Sequence, residues 1–181
     1  MFFKDKVITA KDGRTLILRS PTGEDSAQMV EYLRRCSEET DFLIRYPEEC
    51  TEDDKAEKDF IENTLDSDDS VMIGCFDGEK VVGNCSLSFF GRIKTRHRAS
   101  LGIAILKDYW GLGIGSAMFE EIIRISREHG TEQLELEYLE GNDRGRALYD
   151  KFGFSLVAEH PSAVKLKDGR YLSEYLMIKK L

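Results

Sequence analysis

The run Ile103-Ala104-Ile105-Leu106-Lys107-Asp108-Tyr109-Trp110-Gly111-Leu112-Gly113-Ile114-Gly115-Ser116 is the most informative in the chain. An apolar stretch that reads as a strand passes into a glycine-rich turn. The turn opens a long amphipathic helix. Glycines at alternate positions let the backbone approach a ligand, because no Cβ stands in the way. The first turn of a helix carries amides without intrahelical partners and the positive end of the dipole. Together these make an anion seat that fits the pyrophosphate of a phosphate-bearing cofactor.

Several families use this physics. A P-loop needs a lysine followed by serine or threonine after its last glycine, and here Ser116-Ala117-Met118 follows. A Rossmann fingerprint needs Gly-x-Gly-x-x-Gly, but the third glycine falls one place early. Lys107 to Trp110 also separate the strand from the first glycine. A purely structural turn is the remaining alternative.

The second half of the chain separates these readings. A strand at 133–138 is followed by Gly141-Asn142-Asp143-Arg144-Gly145-Arg146-Ala147-Leu148-Tyr149-Asp150-Lys151-Phe152-Gly153-Phe154. The order strand, Trp-Gly-Leu-Gly-Ile-Gly-Ser, helix, strand, Asn-x-Arg-x-x-Ala-Leu-Tyr-x-Lys-x-Gly-Phe resembles the GNAT superfamily of acyl-CoA-dependent N-acetyltransferases. The element order fits over nearly the whole chain. The resemblance implies one N-acetyltransferase domain over 1–181, acetyl-CoA as acyl donor and an amine as acceptor.

The resemblance also implies roles for residues. Leu112, Gly113, Gly115 and Ser116 would offer backbone N–H groups to the pyrophosphate. Ala104 and Ile105 would pair their backbone with the pantetheine, as an added strand does. The Ile105 amide would polarise the acetyl oxygen. Asn142 would contact the pantetheine arm. Tyr149 would donate to the leaving thiolate, a task that suits a phenol with an ordinary pKa of about 10. Trp110 stands where the family often has arginine or glutamine.

A thioester is already activated, so an amine held beside it can attack directly. The amine must first be neutral, which calls for a base. Relatives often carry a glutamate early in the strand before the loop, where this chain has Ser100. Glu137, at the end of the next strand, is the substitute. Glu39 and Asp41 are rivals, and an ordered water chain without a single base is a further option.

The 181 residues suit one domain with a substantial core. Hydrophobic residues are 41% and charged ones 33%, the balance of a soluble globular chain. The net charge of −8 argues against general nucleic-acid binding, which needs a basic face. It favours a cationic substrate mildly, and simple solubility more. No long apolar run and no signal peptide are visible, so no membrane partner is expected. Cys36, Cys50, Cys75 and Cys85 are scattered without metal spacing, as are the histidines, so reduced thiols in a cytoplasmic protein and no metal are expected.

The remaining chain reads as alternating strands and helices. A hairpin at 7–19 turns at Lys11-Asp12-Gly13-Arg14. Thr22 reads as the cap of one helix and residues 51–54 as the cap of a second. The linker at 38–49 mixes carboxylates with Phe42, Leu43, Ile44 and Tyr46, and the resemblance places it on the acceptor side. A hairpin at 71–90 follows. Arg92, Lys94, Arg96 and Arg98 read as four cations along one side of an extended segment. A helix at 115–129 carries Met118, Ile122 and Ile125 on one stripe and ends at Gly130. A last hairpin pairs 163–166 with 171–179. The expected fold is α+β, a mixed and largely antiparallel sheet with helices on both faces.

Two further functions compete. One is a non-catalytic CoA-binding or regulatory module, left open by the missing glutamate and opposed by Asn142 and Tyr149. The other is a dinucleotide-binding enzyme, disfavoured by the glycine register. A homodimer is compatible with such folds.

Overall fold

The computed structural model describes residues 1–51 and 53–181. The elements run β1 (Lys6–Thr9), β2 (Thr15–Arg19), α1 (Ser26–Glu39), α2 (Asp54–Asp66), β3 (Ser70–Asp77), β4 (Lys80–Phe89) and β5 (Arg98–Ile105). Then come α3 (Ile114–Glu128), β6 (Gln133–Leu139), α4 (Asp143–Lys151), β7 (Ser155–Lys165) and β8 (Tyr171–Lys180). The strands form one eight-stranded sheet in the order β1-β2-β3-β4-β5-β6-β8-β7. Every neighbouring pair is antiparallel except β5 and β6. A parallel pair needs a crossover, and α3 supplies it.

Helices lie on both faces, as the alternation of β4 shows. Phe89 stacks on His129 at the end of α3, ring centroids 3.7 Å apart. Asn84, of opposite parity, faces a cavity lined by α1 and α2. The expected stripe of α3 is buried: Met118, Phe119, Ile122, Ile123 and Ile125 all lie in the core. Leu16, Leu18, Ile73, Val82 and Leu87 meet them from the sheet or pack its other face. Gly130 follows the helix with φ +82, and the next amide, of Thr131, bonds back to Ser126 O. No helix among the described residues is long and apolar enough to cross a membrane.

Two local expectations change, and two are sharpened. The cationic segment is a tight turn, not an extended strand: the Thr95 and Arg96 amides both bond to Arg92 O, and Arg98 N bonds to Thr95 O. Only Arg98 joins β5. Thr22 is the N-cap, as expected, of a short 3₁₀ turn (Gly23–Asp25) that runs into α1; its amide and hydroxyl both donate to Asp25, which also accepts from Arg19 at 2.7 Å. Within the expected cap at 51–54 it is Asp53 that caps the second helix, its carboxylate accepting from Ala56 N, while Glu52 lies outside the described residues. β7 begins at Ser155, eight residues before the expected start at 163. Irregular pairing at Leu156/Ala158 and at His160/Val164, around Pro161, breaks the period-two pattern that announces a strand.

Candidate active site

The site exists because two neighbouring strands separate. β5 and β6 pair only at Arg98↔Gln133, Ala99↔Leu134 and Ser100↔Glu135. β5 then stays with β4 as far as Gly83↔Ile105, while β6 stays with β8 as far as Leu139↔Glu174. Ser100 thus marks the point where the gap opens. Beyond it lies a cavity of 590 Å³ that runs from the glycine loop to the α1–α2 linker.

Alternation of the extended chain says which backbone groups face that gap. Phe90 N bonds to Arg98 O and Leu106 N to Val82 O, so the even-numbered residues of β5 turn toward β4. Gln133 N bonds to His97 O, so the odd-numbered ones turn toward β6. Ile103 and Ile105 therefore present their amides to the gap. Ala104 turns the other way, and its carbonyl accepts from Tyr32 OH at 2.7 Å. The Ile105 carbonyl accepts from the Trp110 indole N–H at 2.6 Å.

The glycine loop follows a short 3₁₀ turn at Lys107–Tyr109. The turn is anchored from below, since Tyr109 OH donates to Asp77 at 2.8 Å and Arg14 lies over its ring at 4.5 Å. Gly113 caps α3 with φ +92, a conformation a side chain rarely adopts. A Cβ on Gly115 would stand 3.0 Å from Leu148 Cδ2, so α3 and α4 touch there without room for one. The first intrahelical bond runs from Ala117 N to Gly113 O. The amides of Ile114, Gly115 and Ser116 precede it and open on the cavity.

Cations surround this seat. Lys151 donates to Ser116 Oγ at 2.8 Å. The Arg144 guanidinium lies over the Trp110 ring at 4.9 Å. Lys11 lines the same cavity, held there by a bond from its amide to Leu112 O. None of the three was singled out from sequence as a binding residue. Arg144 and Lys151 sit inside the second motif, so a signal existed. Lys11 comes from the tip of the first hairpin, and nothing in its neighbourhood announces it.

At the middle of the cavity stands Tyr149, on α4 and 6% exposed. Its ring packs with Phe119, Tyr138 and Phe154. Burial pushes its pKa up to about 12, so the phenol stays neutral through the physiological range. Asn142 caps α4, its side-chain oxygen accepting from Gly145 N at 2.9 Å. Its amide nitrogen is not needed by the cap. All nine residues expected at the site except Leu112 line this one cavity, and Leu112 lies within the loop.

The carboxylates differ in their freedom. Glu39 accepts from Arg35 Nε at 2.9 Å and from Lys107 N at 2.6 Å. Asp41 pairs with Arg170 at 3.5 Å. Glu137 is exposed on the cavity wall and has neither an ion pair nor a side-chain hydrogen bond among the described residues. No cluster that could hold a metal ion occurs among the described residues.

The linker closes the far end. Phe42 reaches over Gly141, and Tyr46 OH accepts from Lys167 N at 2.9 Å. The Lys167 ammonium lies over the Tyr46 ring at 4.0 Å and pairs with Glu48.

The chain is similar in sequence and fold to known proteins. Residues 28–154 match the acetyltransferase (GNAT) family. The chain is 26% identical over 107 residues to an L-amino acid N-acetyltransferase of Escherichia coli, a match that spans 59% of this chain and 65% of that relative. An acetyltransferase of the GNAT family from Streptococcus pneumoniae superposes with a TM-score of 0.86 at 28% identity, covering 92% of this chain and 99% of the other. A putative acetyltransferase of Salmonella typhimurium, solved with its cofactor acetyl-CoA, shares the fold with a TM-score of 0.79 at 18% identity, covering 92% and 94%. With the family match spanning both motifs and the separated strands between them, the chain belongs to the acetyltransferase (GNAT) family of acyltransferase enzymes.

Proposed function

We propose that the protein transfers the acetyl group of acetyl-CoA to a primary amine by direct attack in a ternary complex. The observation that carries this reading is the shared cavity. One space holds the free amides of a helix start, the unpaired edge of β5 and a neutral tyrosine. The donor set fits the proposed cosubstrate. Ile114, Gly115 and Ser116 amides with Lys11, Arg144 and Lys151 suit a pyrophosphate. The Ile103 and Ile105 edge suits a pantetheine laid as an extra strand. A protein with the same fold was solved with its cofactor acetyl-CoA, which supports acetyl-CoA as the ligand.

The chemistry follows from these positions. An amide of the β5 edge donates to the acetyl oxygen as negative charge develops there. The amine nitrogen bonds to the acetyl carbon, and the carbon–sulfur bond breaks. Tyr149 donates a hydrogen bond to the departing sulfur. With its pKa near 12 the phenol is a weaker acid than a thiol, so it stabilises the thiolate without giving up its proton. The thiolate then takes a proton from solvent. Glu137 accepts the proton that the amine must lose, directly or through water.

The test is calorimetric titration with acetyl-CoA, followed by amine screening read by thiol release. We expect binding by the intact protein and its loss in Gly113→Asp and Gly115→Asp, where a carboxylate would enter the anion seat. No binding by the intact protein would overturn the reading.

A further inference from the structure

A second cavity of 380 Å³ lies behind the linker, between α1, α2 and the sheet. It is distinct from the one that holds Tyr149, but the two share a wall at Leu43. Its lining is largely apolar, with Met29, Leu33 and Met72 on the inner side. Ile44 and Phe60 stand at its outer side, 72% and 55% exposed, so it is not sealed from solvent.

One polar group on its wall is unexplained. Asn84 sits in the middle of β4, and its side-chain oxygen is buried without a hydrogen-bond partner. A carboxamide in the centre of a sheet costs stability unless something bonds to it. Asn84 is in register with Ala104 of β5, one strand removed from the edge assigned to the acyl donor. The unsatisfied oxygen, the apolar wall and the shared boundary at Leu43 belong to one space beside the acceptor end.

We infer that this cavity takes the arm of the acceptor: the substrate is an amine on an apolar chain, and the chain ends in a hydrogen-bond donor that meets Asn84. This inference rests on the proposed acetyl transfer to an amine. The amino group would stay in the Tyr149 cavity, and the arm would pass Leu43. An apolar cavity rewards each methylene that enters it. A donor at the tip is rewarded because Asn84 otherwise goes unpaired.

The experiment uses the full chain with two matched series, ω-aminoalkanols from ethanolamine to aminohexanol and the corresponding alkylamines. Acetyl transfer is read as thiol release. The side-chain amide resonances of Asn84 are followed in ¹⁵N-labelled protein, assigned by their absence in Asn84→Leu. We expect kcat/KM to rise with chain length and one aminoalkanol to exceed its alkylamine partner about tenfold. Asn84→Leu should erase that preference while leaving the KM for acetyl-CoA unchanged. Ala56→Phe, at an exposed helix position on the cavity wall, should penalise long amines and spare ethanolamine.

A hydroxyl preference that survives Asn84→Leu would overturn the inference. So would rates independent of chain length, or transfer to aminoalkanols that leaves the Asn84 resonances in place. Movement of those resonances with no thiol release from any amine would keep the cavity as a ligand site and overturn the acetyl-transfer reading instead.

Discussion

The Trp110 indole N–H donates to the Ile105 carbonyl at 2.6 Å, tying the glycine loop to the end of β5. This one bond fixes the strand edge relative to the helix start. It also gives a physical reason for an aromatic residue at this position: the same ring carries Arg144 on its face.

Trp110→Phe should therefore keep the fold and loosen both attachments. A lost neutral hydrogen bond and a weakened cation–π contact together are worth about 1–2 kcal/mol. Acetyl-CoA affinity should fall by roughly five- to thirtyfold in calorimetry. Since Trp110 is the only tryptophan of the chain, intrinsic fluorescence of the wild type should report binding directly.

Tyr149→Phe removes a donor and leaves the ring packing. We expect kcat to fall by about 10²-fold with the KM for acetyl-CoA unchanged. Because burial holds the phenol near 12, the wild-type rate should show no alkaline limb from Tyr149 below pH 10. A pH–rate profile of both proteins checks this.

Glu137→Gln should lower kcat/KM most near neutral pH. The deficit should shrink as pH approaches the amine's own pKa of about 10, where the substrate is already neutral. Glu39→Gln should behave differently, because Glu39 is spent on Arg35 and on Lys107 N. Its loss should disturb the entry to the glycine loop and weaken acetyl-CoA binding, with no pH-dependent rescue.

Alkaline stability should be governed by buried thiols. Burial pushes Cys85 and Cys75 up to about 12 and Cys36 up to about 11, from 9.0. A folded-state pKa raised above the unfolded one gives stability that is full below the unfolded pKa and is lost as pH rises through the folded value. Each such thiol should cost about 1.4 kcal/mol per pH unit above about 9. Denaturant midpoints between about pH 8 and pH 11 should fall steadily, and less steeply in Cys85→Val.

The contiguous parts of the site were legible in the sequence. The glycine loop reads as an anion seat from its own residues, and Asn142 and Tyr149 lie inside a single run that the resemblance to the family marks out. Groups that depend on distant chain were not legible. Lys11 reaches the loop through a backbone bond to Leu112, more than a hundred positions away along the chain. Asn84 reads as an ordinary polar residue of a strand until α1 and α2 are laid over it. The engagement of Glu39 needed the fold as well, since its partner at Lys107 lies across the cleft. β7 was hidden because its irregular pairing erases the alternation that betrays a strand. The start of the gap at Ser100 leaves no mark in local sequence, because strands separate through what their neighbours pair with.

The clasp between the linker and the tip of the last hairpin has a consequence for the two ends of the cleft. The backbone of the glycine loop is held by hydrogen bonds, which salt hardly touches, whereas the charges of Lys11, Arg144 and Lys151 around it are screened like any others. The linker is held to the last hairpin by Lys167, Tyr46, Glu48, Asp41 and Arg170, at or near the surface. Exposed charge pairs are worth about 0–1 kcal/mol each and weaken as ions screen them. Raised ionic strength therefore loosens the clasp around the linker while the glycine loop keeps its shape, and it also weakens the pull of the nearby cations on an anionic ligand.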